Sequence, residues 1–179
     1  MTTLIVCATP EEAMFVPANL PLLITGLGKT AAAAHLSREL SRRPEITRVI
    51  NIGSSGALHD HLTGVHVVGR VINHDISADA IRSLGYEFED EIALDPTSPI
   101  RLATGDVFVT SSTMRSALAQ RADLVDMEGF AYAWAARLFD VEAVLVKHVS
   151  DNADDSAHDW PTAVKHSALA LAGWLHDHV

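Results

Sequence analysis

The chain has 179 residues, a formal net charge of -10 at pH 7 and a single cysteine, Cys7. This length suits one hydrophobic core, so we expect residues 1–179 to form a single domain. The acidic charge and the lack of a basic run argue against a surface for nucleic acid or an anionic membrane. Cys7 cannot form an internal disulfide, and no secretion signal or membrane-spanning apolar run is found, so we expect a cytoplasmic protein.

Short β-rich runs alternate with alanine-rich helical stretches along the chain, which is typical of an α/β domain with a largely parallel sheet between helices. Strands are expected at residues 3–8, 22–25, 48–52, 65–73, 100–104, 107–110, 124–126 and 143–148. Helices are expected at residues 30–42, 113–121, 129–139 and 161–177. Residues 78–99 mix charged and turn-forming residues and are expected to form an irregular loop.

Polar clusters fall where the expected strands end, and ligands of α/β folds gather at that edge of the sheet. In chain order the clusters are ATPEEA, TGLGKT, NIGSSGAL, DMEG and SDNADD. Their recurrence at one edge is a better indication of a site than any one cluster alone.

Three of the clusters also have an explanation in local structure alone. In ATPEEA, Thr9 as N-cap, Pro10 as first helical residue and Glu12 make a capping box. TGLGKT lacks the G-x-x-x-x-G-K-[ST] spacing of a nucleotide-binding loop, because position 23 is Leu23, so it fits a tight turn or a small-ligand loop. NIGSSGAL, after a strand ending at Ile52, fits a tight turn or a close approach to a ligand.

The other two clusters are rich in carboxylates. Asp126 and Glu128 flank Met127 at an expected helix start, where negative charge is favourable. The stretch VKHVSDNADDSAHDW contains four aspartates and two histidines, which could bind a metal. Such residues in a solvated loop more often bind none, so we expect neither a metal nor an organic cofactor. Asp151, nearest the strand end, is the best candidate for a partly buried acid.

The motifs CATPEEA, TGLGKTAAAA, NIGSSGAL, NHDIS, LGYEF, TGDVFVTSS, VDMEGFA and VKHVSDNADD occur in this order. Together the motifs resemble the nucleoside phosphorylase and nucleosidase superfamily, and within it the 5'-methylthioadenosine/S-adenosylhomocysteine nucleosidases. The resemblance covers almost the whole chain, and DMEG with SDNAD is its most specific part. It implies a three-layer α/β/α sandwich around a twisted, mixed, largely parallel sheet, and a homodimer.

The resemblance also implies a role for each cluster in binding and cleaving a nucleoside. Glu12 would activate the attacking water, Ser54 would help to hold that water, and Asp151 would donate a proton to purine N7. Glu128 would be ionised, bind the ribose hydroxyls and offset positive charge on the sugar. The other implied contacts with the nucleoside come from Phe108 stacking on the base, Val109 bonding it through the backbone, Met127 under the ribose, Ser150, and Lys147 in place of a family arginine.

The implied activity is hydrolysis of the N-ribosidic bond of an adenine nucleoside such as 5'-methylthioadenosine or S-adenosylhomocysteine. The phosphorylases of the superfamily hold phosphate with two arginines, whereas this chain has Asn51 at one position and no arginine in ATPEEA. Hydrolysis is therefore favoured over phosphorolysis. A phosphorylase, a futalosine-type hydrolase and a non-catalytic nucleoside-binding protein remain as alternatives.

Overall fold

The computed structural model describes residues 2–154 and 160–179. Within those residues nine strands and five helices alternate along the chain. The strands are β1 Thr2–Cys7, β2 Leu22–Ile24, β3 Ile46–Ala57, β4 Val65–Val67, β5 Arg70–Asn73, β6 Glu91–Ala93, β7 Arg101–Thr104, β8 Leu124–Asp126 and β9 Glu142–Asp151. The helices are α1 Lys29–Arg42, α2 Ala78–Ser83, α3 Ser112–Leu118, α4 Gly129–Leu138 and α5 Trp160–His178.

All of the strands found in the described residues belong to one mixed sheet with β3 at its centre. β3 pairs in parallel with β1 and β9, and its last two residues, Gly56 and Ala57, pair with β8 in the antiparallel direction. The sheet continues from β8 through β7 and β5 to β6, while β2 lies beyond β1 and β4 beyond β9. Because β3 is bordered by both β8 and β9, the ends of these strands meet around it.

Helices cover both faces of the sheet, and the alternation of side chains along β1 shows how they do so. Leu4 and Val6 pack with α1 and α4 in one buried cluster. Ile5 and Cys7 point to the opposite face, where they join the cluster that contains Leu171 of α5. The chain is therefore a three-layer α/β/α sandwich around a mixed, largely parallel sheet, and the fold class expected from the sequence is confirmed.

Some expected elements differ from those observed. The strand expected at residues 107–110 is wrong, because those residues form an irregular loop between β7 and α3. The run 65–73 divides into β4 and β5, and the supposedly irregular segment 78–99 contains α2 and β6. Among the described residues, every helix is too short or too polar to cross a bilayer.

NIGSSGAL is the most informative difference, because it continues β3 instead of forming a turn. Its glycines are needed for close packing within the sheet. A Cβ at Gly53 would lie 3.0 Å from Lys147 Nζ, and a Cβ at Gly56 would lie 2.8 Å from the Cβ of Ala153. The strand therefore carries Ser54 and Ser55 to the edge at which β8 and β9 end.

Alanine substitutions at two glycines, Gly129 in α4 and Gly173 in α5, test how tightly α4 packs on the sheet. Gly129→Ala would place a Cβ 2.7 Å from Leu102 Cδ2 and 2.9 Å from Asp126 Oδ2, so we expect it to lower the free energy of unfolding by about 1–3 kcal/mol. Gly173→Ala in α5 meets no atom within 4 Å, so helix propensity should raise stability by about 0.5–1 kcal/mol. Urea denaturation measures both, and equal stability of the two variants would contradict this packing.

Candidate active site

A cavity of about 450 Å³ opens where β3, β8 and β9 end. Its walls also include the turn after β1, the loop after β2 and the loop between β7 and α3. The residues that line it include all but Lys147 of those predicted from the sequence to act on or bind a substrate: Glu12, Ser54, Phe108, Val109, Met127, Glu128, Ser150 and Asp151. The structure thus brings together five segments that are far apart in the sequence.

Glu12 is fixed by two sets of hydrogen bonds, one for each carboxylate oxygen. The Thr9 backbone N–H donates to Oε2 at 3.2 Å, and the Glu12 N–H donates to Thr9 Oγ1 at 3.3 Å. This is the reciprocal pattern of a capping box, although the residues that follow form turns and no α-helix. Oε1 accepts from Ser54 N at 2.8 Å and Ser54 Oγ at 2.9 Å. Glu12 is therefore both a local cap and part of the cavity wall.

Glu128 stands at the N-cap position of α4 but makes no side-chain capping hydrogen bond. Its Oε1 instead accepts from the backbone N–H of Gly28, at 2.8 Å. Gly26 and Gly28, in the loop after β2, both have φ near +90°, a conformation that favours glycine. The TGLGKT loop therefore turns a backbone N–H toward the carboxylate of Glu128.

The surroundings of Glu128 affect its ionisation. Burial, reinforced by the nearby charge of Asp126, raises the pKa of Glu128 to about 8. The raised pKa therefore opposes the ionised form that the sequence interpretation assigns to this carboxylate. Hydrogen bonds donated by a ligand, or positive charge on it, would favour the ionised form.

Lys147 lies beneath the cavity and does not line it. Its side chain is 2% exposed, and Nζ is 2.9 Å from Asp126 Oδ2. Burial alone would lower the pKa of Lys147, but the charge and hydrogen bond of Asp126, together with the charges of Glu128 and Glu12, raise it. Lys147 was expected to bind the ligand, but in this structure its ammonium is directed at Asp126.

Asp126 connects several segments beneath the cavity, and we call this region the floor of the cavity. In addition to Lys147, its Oδ2 accepts from Gly129 N at 2.8 Å, and its Oδ1 accepts from Thr104 Oγ1 at 2.5 Å. Thr104 Oγ1 in turn accepts from Phe130 N at 2.9 Å. From the sequence, Asp126 was expected only to place a favourable charge at a helix start. The available signal was Lys147 itself, because a lysine inside the apolar strand VLVKHV requires a buried carboxylate partner.

Asp151 is half-buried at the end of β9. Its Oδ2 accepts from Ser150 Oγ at 2.7 Å, and its Oδ1 accepts from Ala153 N at 2.8 Å. A Cβ at Gly56 would lie 3.1 Å from Asp151 Oδ1, whereas Glu12 is bound at Ser54. Since positions 54 and 56 are about 7 Å apart along a strand, the two carboxyl groups meet the cavity at separate points.

Part of the apolar wall of the cavity is exposed to solvent. Phe108 and Val107 are 48% and 49% exposed there, while Val109 is buried. Met127 is half-buried in the wall between Asp126 and Glu128. A flat apolar ligand group could pack on the Phe108 ring while polar groups reach the carboxylates.

No group of three or more metal-binding side chains occurs in the chain as far as it is described, at residues 2–154 and 160–179. Asp155, His158 and Asp159, from the stretch that suggested a metal site, lie outside the described residues.

Comparisons with known proteins identify a family for this chain. The model of the Phosphorylase superfamily matches residues 95–172. A 5'-methylthioadenosine/S-adenosylhomocysteine nucleosidase of Glaesserella parasuis serovar 5 is 30% identical over 168 residues, which span 78% of this chain and 71% of the relative.

Solved structures show the same fold. A Helicobacter pylori 5'-methylthioadenosine/S-adenosylhomocysteine nucleosidase has a TM-score of 0.84 at 20% identity, with 98% of this chain and 96% of that chain covered. A futalosine hydrolase mutant from H. pylori has a TM-score of 0.85 at 20% identity, with 97% and 96% covered. Together with the Glaesserella relative, these matches confirm the resemblance seen in the motifs. The chain belongs to the nucleoside phosphorylase and nucleosidase superfamily, the superfamily of the 5'-methylthioadenosine/S-adenosylhomocysteine nucleosidases.

Proposed function

We propose that the protein is a purine nucleosidase that hydrolyses the N-ribosidic bond of an adenine nucleoside, such as 5'-methylthioadenosine or S-adenosylhomocysteine. The products are the free base and a ribose derivative. The observation that carries the proposal is the placement of Glu12, Glu128 and Asp151 around one cavity, each held by different partners. The Glaesserella relative bears the name of this activity.

Cleavage of the N-ribosidic bond leaves positive charge on the sugar and negative charge on the departing base. Asp151 supplies the proton that the base needs at N7, and Ser150 orients its carboxyl group. Glu12 takes a proton from the attacking water, which Ser54 helps to hold. The separation of Glu12 from Asp151 along β3 leaves room for the nucleoside between acid and base.

Glu128 and the apolar residues hold the nucleoside in this arrangement. Phe108 stacks on the purine, the backbone of Val109 binds its edge, and Met127 packs beneath the ribose. Glu128 accepts hydrogen bonds from the ribose hydroxyls. As positive charge grows on the sugar, the ionised form of Glu128 becomes more favourable, so its raised pKa lets the site respond to the transition state.

Water is favoured over phosphate as the attacking group. Among the described residues that line the cavity, four are carboxylates, Glu12, Asp126, Glu128 and Asp151, and none is an arginine, lysine or histidine. The described lining of the cavity therefore offers no cationic side chain to bind a phosphate dianion. Asn51, which replaces a phosphate-binding arginine of the phosphorylases, is buried and donates to the Val6 carbonyl at 3.2 Å.

We also propose that the protein acts as a homodimer in the cytoplasm, without nucleic-acid or membrane partners. Exposed apolar side chains support a second copy: Leu27 at the cavity mouth is 63% exposed, and Leu22 and Ile24 on β2 are 40% and 39% exposed. Sedimentation equilibrium distinguishes a dimer from a monomer.

The direct test of the activity is incubation with methylthioadenosine, S-adenosylhomocysteine, adenosine, inosine and futalosine, each with and without phosphate. We expect release of adenine from one or more adenine nucleosides at a rate that phosphate does not change. An absolute requirement for phosphate would make the protein a phosphorylase. Release of base from futalosine alone would favour the futalosine hydrolase alternative, and tight binding without base release would indicate a binding protein.

Asp151→Asn should abolish turnover of adenine nucleosides, because the amide cannot donate a carboxyl proton to N7. The amide oxygen can still accept hydrogen bonds from Ser150 or Ala153, so the melting temperature should stay close to that of the wild type. Initial rates and thermal denaturation measure the two effects. Near-wild-type turnover would show that the acid is another residue.

The raised pKa of Glu128 predicts a pH dependence of stability. The unfolded state loses the Glu128 proton near pH 4.5 and the folded state near pH 8. Burial of Glu128 is therefore least unfavourable below pH 4.5 and becomes increasingly destabilising as pH rises to about 8. Glu128→Gln cannot ionise, so its melting temperature relative to the wild type should be higher at pH 9 than at pH 5. The same difference at both pH values would contradict this ionisation.

A further inference from the structure

The loop after β2 binds two other loops through consecutive backbone N–H groups. Gly28 N donates to Glu128 Oε1 at 2.8 Å, at the junction of β8 and α4. Lys29 N donates to Asp106 Oδ1, also at 2.8 Å, in the loop after β7. A side chain at Gly28 would crowd this second contact, since a Cβ there would lie 3.1 Å from Asp106 Oδ1. Two adjacent peptide groups therefore align the carboxylate of Glu128 with the segment that contains Phe108 and Val109.

The side chain of Lys29 extends this connection to a third loop, the one after β5. Its Nζ donates to Asn73 Oδ1 at 2.9 Å and forms an ion pair with Asp75. The other oxygen of Asp75 accepts from the backbone N–H of Asp106 at 2.7 Å. Lys29 and Asp75 side chains are only 19% and 21% exposed, so water screens this pair less than it would a pair on an open surface. We call Lys29, Asn73, Asp75 and Asp106 the loop clasp.

A close contact also joins the loop after β5 to the loop after β7. A Cβ at Gly105 would lie 2.3 Å from Nε2 of His74, so only glycine allows the ring to occupy this position. His74 N also donates to the Thr104 carbonyl at 2.9 Å. The start of the 105–110 segment is thus fixed on one side by the His74 ring and on the other by the loop clasp.

We propose that Lys29 is a positioning residue that, through Asp75 and Asp106, holds the segment of Phe108 and Val109 in the geometry that binds the purine base. The proposal rests on the proposed function for the identity of the ligand, but the contacts of the loop clasp do not depend on it. The TGLGK motif thereby gains a task unrelated to phosphate binding: its glycines present backbone N–H groups, and its lysine fixes the facing loops.

Loss of the loop clasp should impair binding of the nucleoside more than the chemical step. Glu12 is held by Thr9 and Ser54, and Asp151 by Ser150 and Ala153, all of them outside the loop clasp. Loss of the Lys29 charge should therefore leave the acid and the base in place. Phe108 and Val109 would lose their fixed approach to the base.

The first test needs no ligand. In Lys29→Met, the amide of Asp106 should exchange with solvent at least about tenfold faster than in the wild type, because Asp75 is no longer held as its acceptor. Amides of α5 should be unchanged. Lys165→Met, which removes an exposed lysine on α5, is the matched control and should leave the 105–110 segment unaffected. Unchanged exchange at Asp106 in Lys29→Met would overturn the loop clasp, whatever the activity of the protein.

The second test separates binding from chemistry. Lys29→Met should raise KM for the adenine nucleoside about tenfold and weaken binding of free adenine by the same factor, with kcat within about threefold of wild type. Lys29→Arg should restore most of the loss. Asp75→Asn should resemble Lys29→Met. The double variant should be no more impaired than the more impaired single variant, because both substitutions remove the same ion pair. Faster exchange with an unchanged KM and adenine affinity would overturn the positioning role.

The two tests also keep this proposal separate from the proposed function. A wild-type protein that neither binds adenine nor releases it would refute the nucleosidase assignment and, with it, the purine as the positioned ligand. The exchange measurement would still decide whether Lys29 fixes the 105–110 segment.

Discussion

The ion pair between Lys147 and Asp126 is the interaction on which the site depends. Both side chains are 2% exposed, and their charged atoms are 2.9 Å apart. It joins β9 to the junction of β8 and α4, across the central strand β3, at a point where Gly53 leaves room for the ammonium. Removing either partner would leave a buried charge without compensation, which typically costs about 3–5 kcal/mol. The floor of the cavity is thus fixed by electrostatics as well as by packing.

This pair also sets the charge balance of the cavity. Lys147 lies beneath a wall that carries several carboxylates, and its charge is directed mainly at Asp126. Burial, together with the nearby charge of Asp126, raises the pKa of Glu128 to about 8. A cavity lined by carboxyl groups and by no cationic side chain among the described residues is poorly suited to phosphate, and an ionised Glu128 suits a ligand that becomes positively charged as it reacts. In the proposed reaction, the same constraint favours water over phosphate as the nucleophile and stabilises a ribosyl cation.

Much of this could be predicted from the sequence, for identifiable reasons. The alternation of apolar strands and alanine-rich helices predicted the sandwich, because burial on both faces of a sheet leaves a clear pattern. The capping box of Thr9 and Glu12 was also visible, since it depends on residues three apart. The resemblance placed Phe108, Met127, Glu128 and Asp151 in a site, and all four line one cavity.

The remaining features depend on contacts between distant segments, which a single sequence does not reveal. The extension of β3 through NIGSSGAL was missed because glycine and serine read locally as a turn, whereas here they allow close packing. The raised pKa of Glu128 follows from burial and from the nearby charge of Asp126. The buried Lys147 is compensated by Asp126, whose partners are 21 residues ahead in the chain at Lys147 and 22 residues behind at Thr104. The loop clasp likewise joins residues up to 77 positions apart.

The origin of the oxygen added to the sugar tests the central claim most directly. Turnover of the preferred nucleoside in ¹⁸O-labelled water, with phosphate in excess, should give a free ribose derivative with one ¹⁸O atom at C1, as analysed by mass spectrometry immediately after quenching. A parallel incubation of unlabelled product corrects for exchange of that oxygen with solvent. A sugar 1-phosphate as the main product would contradict the account, because it would show that the carboxylate-lined cavity admits phosphate.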